Sequence, residues 1–225
     1  MLLVDSADTN ALESTLTLAG IDGFTTNPTL IARSAGADHL SVTAYEQQLK
    51  RILDVLSADN LPKNRRREVM LQPVGDGSDI LRVAQDSATR LDGHAWRLWI
   101  KLLPEWTSLE LIEPLKNLGI ATLVTAVYTP LQAELAYAAG ADSIAVYVGR
   151  LQQAEPNWQK RLEAIAYVSQ RARQRLLLAS FRDLPMIESA LAYSADLTIP
   201  AHLVPRLLES PLSTAAIADY AARTQ

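Results

Sequence analysis

One lysine in this chain sits where a charge is costly. The segment Arg97-Leu-Trp-Ile-Lys101-Leu-Leu-Pro104 sets an ammonium inside an apolar run of strand type, and loss of hydration there penalises the charged form. Lysine is almost never enclosed without a partner. The other lysines, Lys50, Lys63, Lys116 and Lys160, fall in polar loops or on charged helical faces. An enclosed lysine loses its proton more readily, and the neutral amine can add to a carbonyl to give a Schiff base. The competing explanation for Lys101 is a structural ion pair with Asp5.

Polar side chains end nearly every other apolar run. They are Asp5, Thr25 with Asn27, Gln72, Thr125, Tyr147 with Arg150, Ser180 with Arg182, and Thr198. Taken singly, Thr125 and Thr198 read as threonines tolerated in strands. Asp5 could cap the first helix within Asp5-Ser6-Ala7-Asp8, although Ser6 can do so in its place. Arg150 and Arg182 suit a set of phosphate oxygens if they converge, or salt bridges on the rim if they do not. His39, His94 and His202 share no ligand spacing with carboxylates, so no metal site is expected.

What must position these groups follows from periodicity. Short runs rich in Val, Ile, Leu and Thr, near residues 2–5, 22–26, 69–74, 97–102, 121–127, 143–149, 175–180 and 195–199, predict strands. Between them lie segments of helical spacing: Ala11–Ala19, Asn27–Ser34, Ala44–Leu56, Leu81–Leu91, Leu109–Leu118, Leu131–Ala139, Trp158–Arg173 and Met186–Tyr193, with a last short helix near 213–223. Alternation of this kind predicts parallel strands joined by crossover helices. Gly20, Gly119 and Gly140 stand where helix ends need a left-handed residue. Eight units and no G-x-G-x-x-G after the first run predict a single-domain α/β (β/α)8 barrel over residues 1–225 rather than an open doubly wound sheet. In such a barrel the carboxyl ends of the strands share one cavity, which is where the polar residues fall.

Composition narrows the function. With 225 residues and 48% hydrophobic content the chain can build one large core. A net charge of −4 and a pI near 5.4 argue against nucleic acid as a partner. The basic cluster Lys63, Arg65, Arg66 and Arg67 reads as a solvated loop. There is no cysteine, which suits a reducing cytoplasm, and no leader or membrane-length apolar run is recognisable. A mature cytoplasmic chain with no membrane attachment is expected.

Quoted together, Val4-Asp5-Ser6-Ala7-Asp8, Thr25-Thr26-Asn27-Pro28, Ile100-Lys101, Thr125-Ala126-Val127-Tyr128, Tyr147-Val148-Gly149-Arg150 and Ala179-Ser180-Phe181-Arg182 resemble the transaldolase family, particularly its small fructose-6-phosphate aldolase branch. The resemblance spans nearly the whole chain in order. It implies that Lys101 forms a Schiff base with a ketose donor, with no cofactor, while Asp5 and Asn27 hold donor hydroxyls and Thr25 lies beside them. Gln72 and Tyr147 look like the aldolase branch, where transaldolases proper are expected to carry glutamate and phenylalanine. Tyr147 would then be the acid-base group, its phenol lowered in pKa, with Gln72 and Thr125 positioning a water. Ser180, Arg150 and Arg182 would bind the phosphate of an aldehyde such as glyceraldehyde 3-phosphate. The implied partner is a sugar or sugar phosphate, and the implied assembly a homo-oligomer.

The chain departs from the family pattern at three places. Leu102-Leu103 separate Lys101 from Pro104, Gly149 stands where asparagine is frequent, which would loosen the backbone before Arg150, and the tail after Pro211 is short. Transfer of the donor unit between sugar phosphates, and a silent sugar-phosphate-binding barrel, are the alternatives to aldol cleavage.

Overall fold

The structure is a computed structural model and describes residues 1–58 and 67–223. Eight parallel strands close into a barrel in sequence order: β1 (Leu2–Asp5), β2 (Gly23–Thr25), β3 (Arg67–Leu71), β4 (Trp96–Leu102), β5 (Ala121–Val124), β6 (Ser143–Tyr147), β7 (Arg175–Ala179) and β8 (Asp196–Pro200). Val4 pairs with Phe24 on one side and with Ile199 on the other, which closes the ring.

The helices follow as α1 (Thr9–Leu16), α2 (Pro28–Ser34), α3 (Val42–Ala58), α4 (Gly77–Leu91), α5 (Trp106–Leu109), α6 (Ile112–Asn117), α7 (Pro130–Ala138), α8 (Val148–Ala154), α9 (Trp158–Ala172), α10 (Leu184–Ala190) and α11 (Pro211–Arg223), with a 3-10 helix over Ala201–Arg206. Several starts are chemically fixed. Asn27 and Asp183 cap α2 and α10 with a proline in the first turn, and Asp76 and Thr129 open α4 and α7 with reciprocal capping boxes.

Four expectations are corrected. The helix read over Leu109–Leu118 is two helices, because Pro114 lacks the N–H that a continuous helix would bond to Glu110. α1 is capped by neither Asp5 nor Ser6: the Asp8 carboxylate accepts from Asn10 N and Ala11 N, and Ser6 Oγ accepts from Asp8 N. The sixth run stops at Tyr147, since Val148 and Gly149 already belong to α8. Arg67 is a buried residue of β3 rather than part of a solvated loop; Lys63, Arg65 and Arg66 lie outside the described residues.

Strand side chains alternate between two environments, as the pleat requires. On β4, Leu98, Ile100 and Leu102 pack outward among the helices, in the larger core with Val69, Leu71, Val124 and Val146. The alternate residue Trp99 belongs to a second, inner core with Leu3, Met70, Leu123, Ala145 and Leu177. That layer fills the barrel lumen, so the barrel is packed and not a pore. Two residues further along each strand, the same parity delivers Asp5, Gln72, Lys101, Thr125, Tyr147 and Ala179 to the layer above. Below, the Arg97 and Arg175 guanidinium groups each lie 4.7 Å from the centroid of the Trp99 ring. Arg175 is in turn paired with Glu68 at 2.9 Å and Asp196 at 2.6 Å.

Candidate active site

A cavity of about 940 Å³ opens at the carboxyl ends of the strands. Ten of the eleven residues singled out from sequence line it: Asp5, Thr25, Asn27, Gln72 and Lys101 from the first half, and Tyr147, Arg150, Ser180, Arg182 and Thr198 from the second. Thr125 stands one layer back, fully buried, with its hydroxyl donated to the Tyr147 oxygen at 2.8 Å.

Lys101 is 5% exposed. Its Nζ donates to the carbonyl of Thr26 at 2.8 Å, so the direct partner is a neutral backbone oxygen and not Asp5. Burial lowers its pKa to about 8, and the Asp5 carboxylate, acting through space, opposes that fall. A drop of this size multiplies the neutral amine at pH 7 about 300-fold over an ordinary lysine. Burial raises the Asp5 carboxyl, against the pull of Lys101 and a 2.9 Å hydrogen bond from Thr25. Because Thr25 spends its proton on Asp5, the 2.8 Å contact with Thr198 must be a bond donated by Thr198. Thr198 is thereby the end of a polar chain across β8, β2 and β1, not merely a strand threonine.

Tyr147 corrects an expectation. Its pKa is raised, not lowered: burial dominates and the Asp5 charge adds to it, outweighing the Thr125 hydrogen bond and the nearby Arg150. The phenol is therefore a proton donor at neutral pH. Arg150 sits 5.3 Å over its ring, and Tyr128 packs edge-on at 6.2 Å. Gln72 Oε1 is buried with no hydrogen-bond partner among the described residues, while the Gln72 carbonyl accepts from the Tyr45 hydroxyl at 2.6 Å. A buried acceptor left open at a cavity wall fits a polar ligand or water. Asn27 caps α2 with its side-chain oxygen, accepting from Leu30 N at 3.1 Å, which leaves its amide N–H groups for the cavity.

Gly149 is also corrected. It lies in the first turn of α8, and a Cβ there would stand 2.3 Å from the carbonyl oxygen of Ser180. Close approach, not looseness, requires glycine. The contact joins the ends of β6 and β7, and Arg182 tightens it by donating to the Gly149 carbonyl at 3.3 Å.

The sequence reading missed the backbone strain at two residues and the place of two polar side chains on the cavity. Ala126 and Ser180 follow β5 and β7 with φ of 57° and 67°, a conformation that costs a non-glycine residue and that gathers at functional sites. Arg33 of α2 and His202 of the 3-10 helix also line the cavity. Arg33 follows the quoted Asn27-Pro28 motif on a short helix, and that adjacency was its one signal. Leu103, from the lengthened exit after Lys101, is part of the wall as well.

The profile of the family described as Transaldolase/Fructose-6-phosphate aldolase matches residues 2–225. The chain belongs to this family. Among its relatives, a "Probable transaldolase" of Syntrophobacter fumaroxidans is 27% identical over 213 residues, covering 93% of this chain and 90% of its own. A "Probable transaldolase" of a Geobacter species is 27% identical over 224 residues, covering 96% and 94%. Of solved structures, 2,3-dimethylmalate lyase, a PEP mutase/isocitrate lyase superfamily member, superposes with a TM-score of 0.61 at 14% identity over 99% of this chain and 81% of its own. That likeness concerns the barrel alone. Among the described residues no three His, Asp or Glu side chains stand together as a metal-binding group, and no helix is long and apolar enough to cross a membrane.

Proposed function

We propose that this transaldolase-family protein is a class I aldolase that cleaves and forms ketose phosphates through a Schiff base on Lys101. The observation that carries the reading is a buried amine with a pKa near 8 facing a cavity of substrate size. The Lys101 amine adds to the ketose C2 carbonyl and water leaves, giving an iminium. The C4 hydroxyl proton passes through a water held by Gln72 to the Tyr147 oxygen, the C3–C4 bond breaks, and its electron pair is stored as an enamine. The phenol, protonated in the free protein, has by then given its proton to the C2 hydroxyl that leaves as water, so the phenolate left beside the iminium is the acceptor. Protonation of C3 and hydrolysis then free the three-carbon ketone and restore Lys101.

Asp5 and Asn27 would hold the donor hydroxyls. Arg150, Arg182 and Ser180 would hold the acceptor phosphate, both arginines lining the cavity beside the Gly149–Ser180 contact. Transfer of the enamine to a second aldehyde is the other reading, favoured by the kinship with proteins named probable transaldolases. Tyr147 and Gln72 favour cleavage.

Borohydride trapping with dihydroxyacetone or fructose 6-phosphate, followed by peptide mass mapping, tests the Schiff base, and absence of an adduct on Lys101 overturns it. Release of glyceraldehyde 3-phosphate compared with transfer to erythrose 4-phosphate then separates the two readings. We further propose a cytoplasmic homo-oligomer joined through α11. That helix buries none of its side chains, and Leu212 and Ile217 are exposed on it; light scattering with and without α11 tests this.

A further inference from the structure

The cavity extends beyond the catalytic groups. From Asp5 and Asn27 it runs outward between α1, α2 and the 3-10 helix, and each presents a pair of residues three apart: Ala11 with Ser14, Leu30 with Arg33, and His202 with Pro205. This spacing puts each pair on one helical face. Its walls carry the hydroxyls of Ser14, Thr15 and Thr29 and the Asp8 carboxylate, which caps α1, and its guanidinium and imidazole are Arg33 and His202.

Arg33 has no carboxylate partner among the described residues, whereas Arg82, Arg90, Arg161, Arg171, Arg175 and Arg206 are each ion-paired. The other arginines on the cavity, Arg150 and Arg182, are likewise without a carboxylate. Arg33 lies in the last turn of α2, six residues after the Asn27 cap, or about 9 Å along the axis. Helical side chains lean toward the helix N-terminus, and Arg33 lines the same cavity as Asn27. Around the barrel, Arg33 follows β2 and His202 follows β8, the two strands flanking β1 and Asp5. Arg150 and Arg182 follow β6 and β7. The two guanidinium sites thus serve different sectors of the rim.

We infer that Arg33 and His202 form a second anion subsite at the donor end, which takes a phosphate carried on C1 of the ketose or on the three-carbon ketone derived from it. A planar guanidinium accepts two phosphate oxygens at once, and an imidazole N–H can donate to a third. The substrate class is then ketose 1-phosphates and bisphosphates in addition to ketoses phosphorylated only at the far end. This rests on the Schiff-base reading for the chemistry but not for the binding.

The test is borohydride trapping on Lys101 with dihydroxyacetone phosphate against dihydroxyacetone, over a concentration series. A half-saturating concentration at least tenfold lower for the phosphorylated ketone is expected. Arg33→Gln should bring the two within about twofold of each other, chiefly by weakening the phosphorylated one. Equal saturation in the unaltered protein overturns the inference. So does a preference that survives Arg33→Gln and vanishes in Arg182→Gln, which would assign that phosphate to the other arginine pair. If dihydroxyacetone itself leaves no adduct, the Schiff-base reading falls while the subsite is still decided by calorimetric titration with dihydroxyacetone phosphate. Binding lost in Arg33→Gln supports the subsite, and binding absent from the unaltered protein or unchanged in the variant overturns it.

Discussion

Asp5 and Lys101 act on each other in opposite senses, and Asp5→Asn separates the two effects. Burial takes the Lys101 pKa from 10.5 to about 8 even though the Asp5 charge works the other way. The net fall of about 2.5 units corresponds to about 3 kcal/mol against the protonated amine. It leaves about a tenth of the molecules with a neutral amine at pH 7. Removing the carboxylate charge while keeping its shape should lower the pKa by about one further unit. About half of the molecules would then be neutral at pH 7, a gain of about fivefold. The assay is the rate of reductive methylation of the Lys101 peptide by formaldehyde and cyanoborohydride, followed by mass spectrometry from about pH 5.5 to 9.5. Formaldehyde has no hydroxyl for Asp5 to hold, so the rate reports electrostatics and not substrate binding. An inflection near pH 8 that moves toward acid in the variant is expected. One that stays fixed would mean that the Asp5 charge does not reach the amine, and one that moves toward alkali would mean that burial is not its main perturbation.

Tyr147→Phe should lower cleavage of fructose 6-phosphate by a factor on the order of 100 to 10,000 while depressing transfer to erythrose 4-phosphate far less, measured as the ratio of the two rates. Because the Tyr147 pKa is raised, the unaltered protein should show no loss of phenol proton at neutral pH in an ultraviolet titration. Gly149→Ala meets the Ser180 carbonyl at 2.3 Å and should raise KM for phosphorylated acceptors by about tenfold or more, roughly the loss of one charge-assisted hydrogen bond, with a smaller change for glyceraldehyde. Ala126→Gly should be neutral or stabilising in urea unfolding, since it relieves a φ of 57°, whereas Ala136→Gly inside α7 should cost about 1 kcal/mol or more. Arg175→Met leaves Glu68 and Asp196 without their guanidinium and should cost about 3 kcal/mol at pH 7 by the same measurement.

The barrel and most of its site were legible for a common reason: parity. Once Lys101 is recognised as an enclosed charge, residues two apart along each strand share its lumen, and the polar strand ends follow. Where the reading went astray, tertiary geometry had overridden local pattern. Val148 and Gly149 carry a strand-like sequence yet turn directly into α8 with no side-chain cap to announce it. The positive φ at Ala126 and Ser180 is imposed by the rim, on residues with no preference for it. The direction of the Tyr147 pKa shift depends on how deeply the phenol is buried and on its distance from Asp5, neither of which spacing reveals. Arg33 needs the knowledge that α2 ends beside the cavity. Its neighbours in sequence, Ala32 and Ser34, give no hint of that.

Among the described residues, the inner apolar layer that includes Trp99, with Arg97 and Arg175 on its ring, leaves the lumen closed beneath Lys101. Reactants, products and hydrolytic water therefore share the doorway at the carboxyl ends of the strands. The first aldehyde has to depart before the next can enter, so steady-state kinetics with two sugars should follow a ping-pong order. At that doorway water and a second aldehyde compete for one waiting enamine, and whichever arrives first decides between release and transfer. The partition between the two activities then becomes a matter of traffic at the rim as much as of chemistry at the lysine.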